Sequence, residues 1–228
     1  MNKKFLLIFI SLLTISTISR AQTKFSIYFS GFYAGFEAGI VNYNTQITFD
    51  GVNDPAGRGG ELYGALLGYN QTYNRLFIAL EMFYNFASDI DPYTFDPDVV
   101  GFSELNLQQG NRFGLDASVG YLLTKIIVLY GTIGCSTNKQ SVFIDGKPLD
   151  QYSGGATAEN YFSFQFGAGL EVAIHSWLVI RVSFKNIDGN DMKTTDLGTI
   201  PANAGLTHFE LESSQHQFLI GLIFHFSG

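Results

Sequence analysis

The chain has 228 residues, with 13 basic and 20 acidic side chains and a formal net charge of −7. That balance argues against nucleic acid as a partner and against docking on anionic lipid through a basic patch. Cys135 is the single cysteine, so no intrachain disulfide can form, and such a residue is more often a small apolar filler than a reactive group.

The first element is a leader over residues 1–21. Lys3 and Lys4 give it a positive start, an apolar stretch follows from Phe5 to Leu13, and Ser19 and Ala21 sit at the spacing of an export cleavage site. The stretch is shorter than the roughly 20 residues of a membrane-spanning helix. Removal after Ala21 is expected, leaving one domain over residues 22–228. No later apolar run approaches the roughly 18 residues of a helical span.

Side chains on a strand alternate between two faces, and a period-two pattern marks eight predicted strands in this domain. The first covers residues 32–43 and sets Phe32, Ala34, Phe36, Ala38 and Ile40 against Tyr33, Gly35, Glu37, Gly39 and Val41. The second covers 60–70, with Ala65, Leu67 and Tyr69 opposed by Gly64, Leu66 and Gly68. In the third, 76–87, Ile78, Leu80, Met82, Tyr84 and Phe86 oppose Phe77, Ala79, Glu81, Phe83 and Asn85. The fourth, 109–122, separates Phe113, Leu115, Ala117, Val119 and Tyr121 from Arg112, Gly114, Asp116, Ser118 and Gly120.

The fifth, 127–136, is almost wholly apolar and does not declare its facing. The sixth, 160–173, is the clearest: Phe162, Phe164, Phe166, Ala168, Leu170 and Val172 oppose Ser163, Gln165, Gly167, Gly169 and Glu171. The seventh, 178–187, sets Ile180, Val182 and Phe184 against Val179, Arg181, Ser183 and Lys185. The eighth, 215–226, places Phe218, Ile220, Leu222, Phe224 and Phe226 on one face and Gln215, Gln217, Gly221 and His225 on the other. Leu219 and Ile223 break that last alternation.

The connections alternate in length. Residues 71–75, 123–126 and 174–177 are short links; residues 44–59, 88–108, 137–159 and 188–214 read as long loops. Short turns on one rim and long loops on the other match a barrel spanning an outer membrane, with both chain ends on the periplasmic side. Each run meets the roughly 9 to 11 residues of a tilted membrane strand. Closure would leave no free sheet edge, as hydrocarbon requires.

A soluble barrel would bury its apolar face; a membrane barrel inverts this. The second arrangement is expected, because a face reading Phe162, Phe164, Phe166 would be an aggregation hazard in water. It places Glu37, Glu81, Arg112, Asp116, Glu171, Arg181 and Lys185 inside as a charge network of four acids and three bases. Glycines share that face and are expected to make room for the long charged chains. Tyr69, Tyr73, Tyr121, Trp177 and Phe226 are expected at the short-turn rim, and Tyr43, Tyr84, Phe86, Phe113 and Phe184 at the long-loop rim, as interfacial belts. The other acids fall on the long connections and their edges, where they are expected to solvate the outer rim.

The segments 31–39 (GFYAGFEAG), 64–69 (GALLGY) and 166–171 (FGAGLE) resemble the small outer-membrane β-barrel family. This is the porin-family or surface-antigen group of eight-stranded barrels related to the OmpA membrane domain. Phe226 and its alternating apolar predecessors look like the C-terminal signal read by the barrel-assembly machinery. The resemblance implies a role in stabilising the envelope, in adhesion, or at most as a narrow pore, and brings no catalytic residues to carry over.

Enzyme chemistry has few footholds. His175 and Ser176 lie in a short turn, on the wrong rim for outer-leaflet lipid A. His208, Glu210, Glu212 and Ser213 have the residue types of a hydrolase site but no established mutual geometry. Residues 89–98 carry Asp89, Asp91, Asp96 and Asp98, yet lack the glycine and glutamate spacing of an EF-hand. Residues 53–60 read as a glycine-rich loop, and no phosphate loop, zinc spacing or dinucleotide fingerprint is present.

The expectation is an all-β, eight-stranded antiparallel up-and-down transmembrane barrel without enzymatic activity, cofactor or metal. Its expected role is structural or adhesin-like surface interaction, with a small porin-like channel as the alternative and a lipid A-modifying enzyme or lipocalin-like binder less favoured. Expected partners are outer-membrane lipid and lipopolysaccharide, the assembly machinery, and a host or envelope ligand on the outer loops.

Overall fold

The computed structural model describes residues 28–49, 52–86, 88–89, 93–94, 104–144, 147–148, 158–188, 192–194 and 209–226. The leader expected over 1–21 lies outside them. Eight long strands form the wall: β1 (Gly31–Phe49), β2 (Val52–Tyr73), β3 (Leu76–Asn85), β4 (Arg112–Leu122), β5 (Ile127–Ile144), β6 (Ala158–His175), β7 (Leu178–Ile187) and β8 (Phe209–Phe226). Short paired segments, such as Glu104–Gln109 alongside β5, extend the wall beyond the membrane-facing part.

Neighbours pair antiparallel all the way round, β1 to β2, β2 to β3 and on to β6, β7 and β8, and β8 returns to β1. The sheet is therefore closed and leaves no free edge, as hydrocarbon requires. Among the described residues every regular element is a strand.

The alternation is read out as exposure. Outward residues such as Phe36, Phe164 and Ile133 are each about two-thirds exposed (67, 67 and 68%), whereas their chain neighbours Glu37, Gln165 and Thr132 are buried. The apolar face is the outer one. The fifth strand, undeclared in sequence, turns Val128, Tyr130, Thr132 and Ser136 inward and Leu129 and Ile133 outward.

Two expectations about the long rim are corrected. Residues 44–59 are not a loop: β1 and β2 stay paired from Gly31↔Asn70 up to Phe49↔Val52, and residues 53–60 belong to β2. Likewise β5 reaches Ile144, β6 begins at Ala158 and β8 at Phe209, so strands replace much of the loops expected over 137–159 and 188–214. Glycine, proline and aspartate in these stretches weaken strand propensity, but a hairpin whose lower half is locked by an alternating face carries its register upward. On the opposite rim, β2 and β3 join through Asn74 and Arg75, with Asn74 at φ 54°, a left-handed position that asparagine tolerates.

Most predicted belt residues are exposed where expected. Tyr73, Tyr121, Trp177 and Phe226 line the short-turn rim, and Tyr84, Phe86, Phe113 and Phe184 the other. Tyr69 is only half-buried, and Tyr43 is buried and points inward, because its odd-numbered place on β1 shares the face of Tyr33 and Glu37.

Candidate functional site

The interior of the barrel holds the chemistry, and it is built in levels. At the short-turn end it is an apolar plug. Phe29, Phe77, Leu122, Val128, Ala173, Val179 and Ile223 form one buried cluster there. Phe29 precedes the wall, its ring edge-on to Phe77 at 6.3 Å. Thr72 fixes it by donating from Oγ1 to the Phe29 carbonyl at 2.8 Å, while the Thr72 amide donates to Ser30 Oγ at 3.2 Å. Gly31, at φ +124°, lets the chain turn from this plug into β1. Nothing in the charge pattern announced the plug. Its sequence signal was the set of large apolar residues on the polar face, Phe77, Val179 and Ile223 among them.

Above the plug sits Arg181. Its Nη1 reaches Glu81 Oε2 at 2.6 Å; its Nε and Nη2 reach Glu171 Oε1 at 2.9 and 2.8 Å. The guanidinium carbon also lies 5.8 Å from the ring centres of both Tyr33 and Tyr130, a cation–π contact on each. Tyr33 donates its hydroxyl to Glu81 Oε2 at 2.9 Å. Arg181 and Glu171 face each other on adjacent strands, but Glu81 is on β3, diametrically opposite β7 in the strand ring. The Arg181–Glu81 pair therefore spans the lumen.

A second bridge lies one level higher. Lys185 Nζ pairs with Asp116 Oδ2 at 2.9 Å and stands 4.7 Å over the Phe83 ring. Gln165 donates from Nε2 to Asp116 Oδ1. A third bridge joins β4 to β8, with Arg112 donating from Nη2 to Gln215 Oε1. All seven predicted charged residues lie on the inner face and are buried. They do not all pair as charges. Neither oxygen of Glu37 has a hydrogen-bond partner among the described residues, nor have Nε and Nη1 of Arg112. Glu37 instead lies within electrostatic reach of Lys185 and Arg181.

The inward glycines serve rings more than charges. A Cβ on Gly68 would run into the Tyr33 ring, one on Gly169 into Tyr130, and one on Gly114 into Phe83. Tyr33, Tyr130, Gln165, Gln215 and His225 thus complete the interior, and charge alone did not single them out. His225 is buried beside Tyr33, their ring centres 5.5 Å apart.

Other predicted chemistry finds no support here. Ser176 and His175 are in hydrogen-bond reach at 3.2 Å, but His175 ends β6 and Ser176 opens the turn to β7, on the short-turn rim. His208 lies outside the described residues, as do Asp91, Asp96 and Asp98 of the acidic stretch. Among the described residues no cluster of His, Cys, Asp and Glu is fit to hold a metal ion.

With this geometry in view, comparison with known proteins is specific about family. The family described as "Outer membrane protein beta-barrel domain" matches residues 5–224. No curated relative matches the chain. Among solved structures, OprG, an outer membrane protein of Pseudomonas aeruginosa, is 13% identical, with 87% of this chain and 98% of that one covered and a TM-score of 0.51. Neisserial surface protein A is 12% identical over 87% and 99% of the two chains, with a TM-score of 0.50. At such identities these structures speak for the fold. An inside-out closed sheet of eight strands, matched over nearly its whole length, makes this chain a member of the outer membrane protein beta-barrel domain family, resident in the outer membrane.

Proposed function

We propose that this barrel is a closed surface protein: a wall that anchors its outer segments in the membrane for contact with envelope or host molecules, rather than a channel or an enzyme. The observation that carries this reading is the Arg181–Glu81 bridge across the lumen, stacked above the Phe29–Phe77 plug. Eight strands enclose an interior just wide enough for side chains to fill. Here that space is taken by ion pairs and rings, so a solute would have to break a buried pair and displace an apolar cluster to pass. The same bridge and plug count against the narrow-pore alternative.

Two further parts belong to this reading. Residues 1–21 act as a cleaved export leader, and the alternating C-terminal strand ending at Phe226 is the segment presented to the assembly machinery. Planar-bilayer recording of the refolded barrel tests the closed state. The expected record is a quiet baseline; steady large openings at moderate voltage would favour the channel.

A further inference from the structure

Of the three bases predicted for the lumen, two are spent at the lower levels. Arg181 is held by Glu81 and Glu171, and Lys185 by Asp116. Arg112, at the start of β4, is left over above them. It is buried, and it crosses the lumen to donate from Nη2 to Gln215 Oε1 on β8. Its Nε and Nη1 have no hydrogen-bond partner among the described residues. A guanidinium carries only donors and does not shed its proton, so a full positive charge and most of its N–H groups stay uncompensated.

The register along β8 shows why the acids below do not serve it. Glu37, the other unpaired charge, shares the rung of Gly221 with Arg181. Lys185 shares the rung of Gln217, and Arg112 reaches Gln215, higher still. The Lys185–Asp116 bridge thus lies between Glu37 and Arg112. Asp116 itself has both oxygens occupied, by Lys185 and by Gln165. The groups around Arg112 are neutral. Asn85 stands opposite it on β3, and Ser136 of β5 faces Gly114, two residues further along β4. Ser136 is buried with its Oγ unpartnered, a hydroxyl free to donate. Gln215 shares its rung with Tyr43, and Arg58 holds the next place on that rung, another base at this height. A buried charge without a counter-charge is costly, and water supplies dipoles but no charge.

We propose that Arg112 holds one small monovalent anion, of chloride size, at the top of the lumen, with the Ser136 hydroxyl as a further donor. A single negative charge matches the single uncompensated guanidinium, and a small ion suits a bore that side chains fill. The site lies on the outer side of both bridges, so it takes its ion from outside without opening the barrel.

Urea unfolding of the refolded full barrel in phosphatidylcholine vesicles tests this, with chloride exchanged for bulky gluconate at constant ionic strength. Chloride is expected to lower the wild-type unfolding constant by about tenfold, as a ligand bound only to the folded state does. Gln215→Glu puts a carboxylate where Arg112 now meets an amide oxygen, and is expected to make the barrel indifferent to chloride. Arg112→Gln is expected to lose the response as well; should it not fold, Gln215→Glu still decides. Bromide-soaked crystals are expected to show an anomalous peak beside Arg112 in the wild type and none there in Gln215→Glu. A wild type indifferent to chloride would overturn the proposal, leaving water or a carboxylate of the outer segments as the partner of Arg112. So would a chloride response that Gln215→Glu shares, or bromide density absent from Arg112.

Discussion

Arg181 is held by two carboxylates and two tyrosine rings, and replacing it exposes what each partner costs alone. In Arg181→Ala, Glu81 and Glu171 remain buried without their shared cation. Breaking a buried pair from one side typically costs about 3–5 kcal/mol. Equilibrium urea unfolding in lipid vesicles is expected to show a loss of that size, largely recovered when Glu81→Gln and Glu171→Gln are added. A loss below about 1 kcal/mol would mean that the bridge is not structural. The inward glycines make a second case. Gly169→Val drives a side chain into the Tyr130 ring and is expected to cost about 1–3 kcal/mol by overpacking. Tyr130→Ala in the same molecule should return part of that loss, a non-additivity visible in the same unfolding assay. The seven charges were legible one by one, because each sits in phase with glycines and serines on an alternating strand. Their partners were not. Who meets whom across a lumen depends on strand stagger, which a single sequence does not carry, and so Glu37 and Arg112 emerge without the carboxylate–cation partners expected of them. Tyr43 was misplaced for a local reason: an aromatic at a strand end satisfies a belt and an interior equally well by type, and parity alone decides.

Each strand carries the same physical rule, large apolar side chains toward acyl tails and small or polar ones toward the axis. Leu80, at the middle of β3 and half exposed, is a direct probe of that rule. Leu80→Arg is expected to cost about 2–4 kcal/mol in bilayer-embedded unfolding, whereas Asn186→Arg, near the upper end of β7, is expected to cost at most about 1 kcal/mol. Similar costs at the two sites would place the hydrocarbon band elsewhere. Strand existence and facing were legible wherever alternation was strict, as in β4 and β6. The upper reach of β1, β2, β5, β6 and β8 was not. Residues 53–60, with Pro55, Asp54 and three glycines, have the composition of a turn region. They nevertheless pair, because register set below Tyr43 continues rung by rung to Phe49↔Val52. Turn composition marks where a chain is free to reverse, and here the reversal comes only after the ladder has run past such residues.

At the scale of the whole molecule, closure and inversion act together. A closed sheet removes every edge, inversion places the apolar face in lipid, and the small bore leaves the interior to be filled by its own side chains. The apolar plug fills the bore at the short-turn end, and it was partly written in Ile223, which interrupts the alternation of β8 and is buried inside. A nitroxide scan through residues 162–172 of β6 in lipid bilayers tests inversion and sealing in one measurement. Collision rates with oxygen, which concentrates in hydrocarbon, and with a water-soluble nickel chelate are read at each position. The account predicts high oxygen access at 162, 164, 166, 168 and 170, and low access to both reagents at 163, 165, 167, 169 and 171. High nickel access along the second set would reveal a water-filled lumen, and high oxygen access there would turn the barrel's faces the other way; either result contradicts the account.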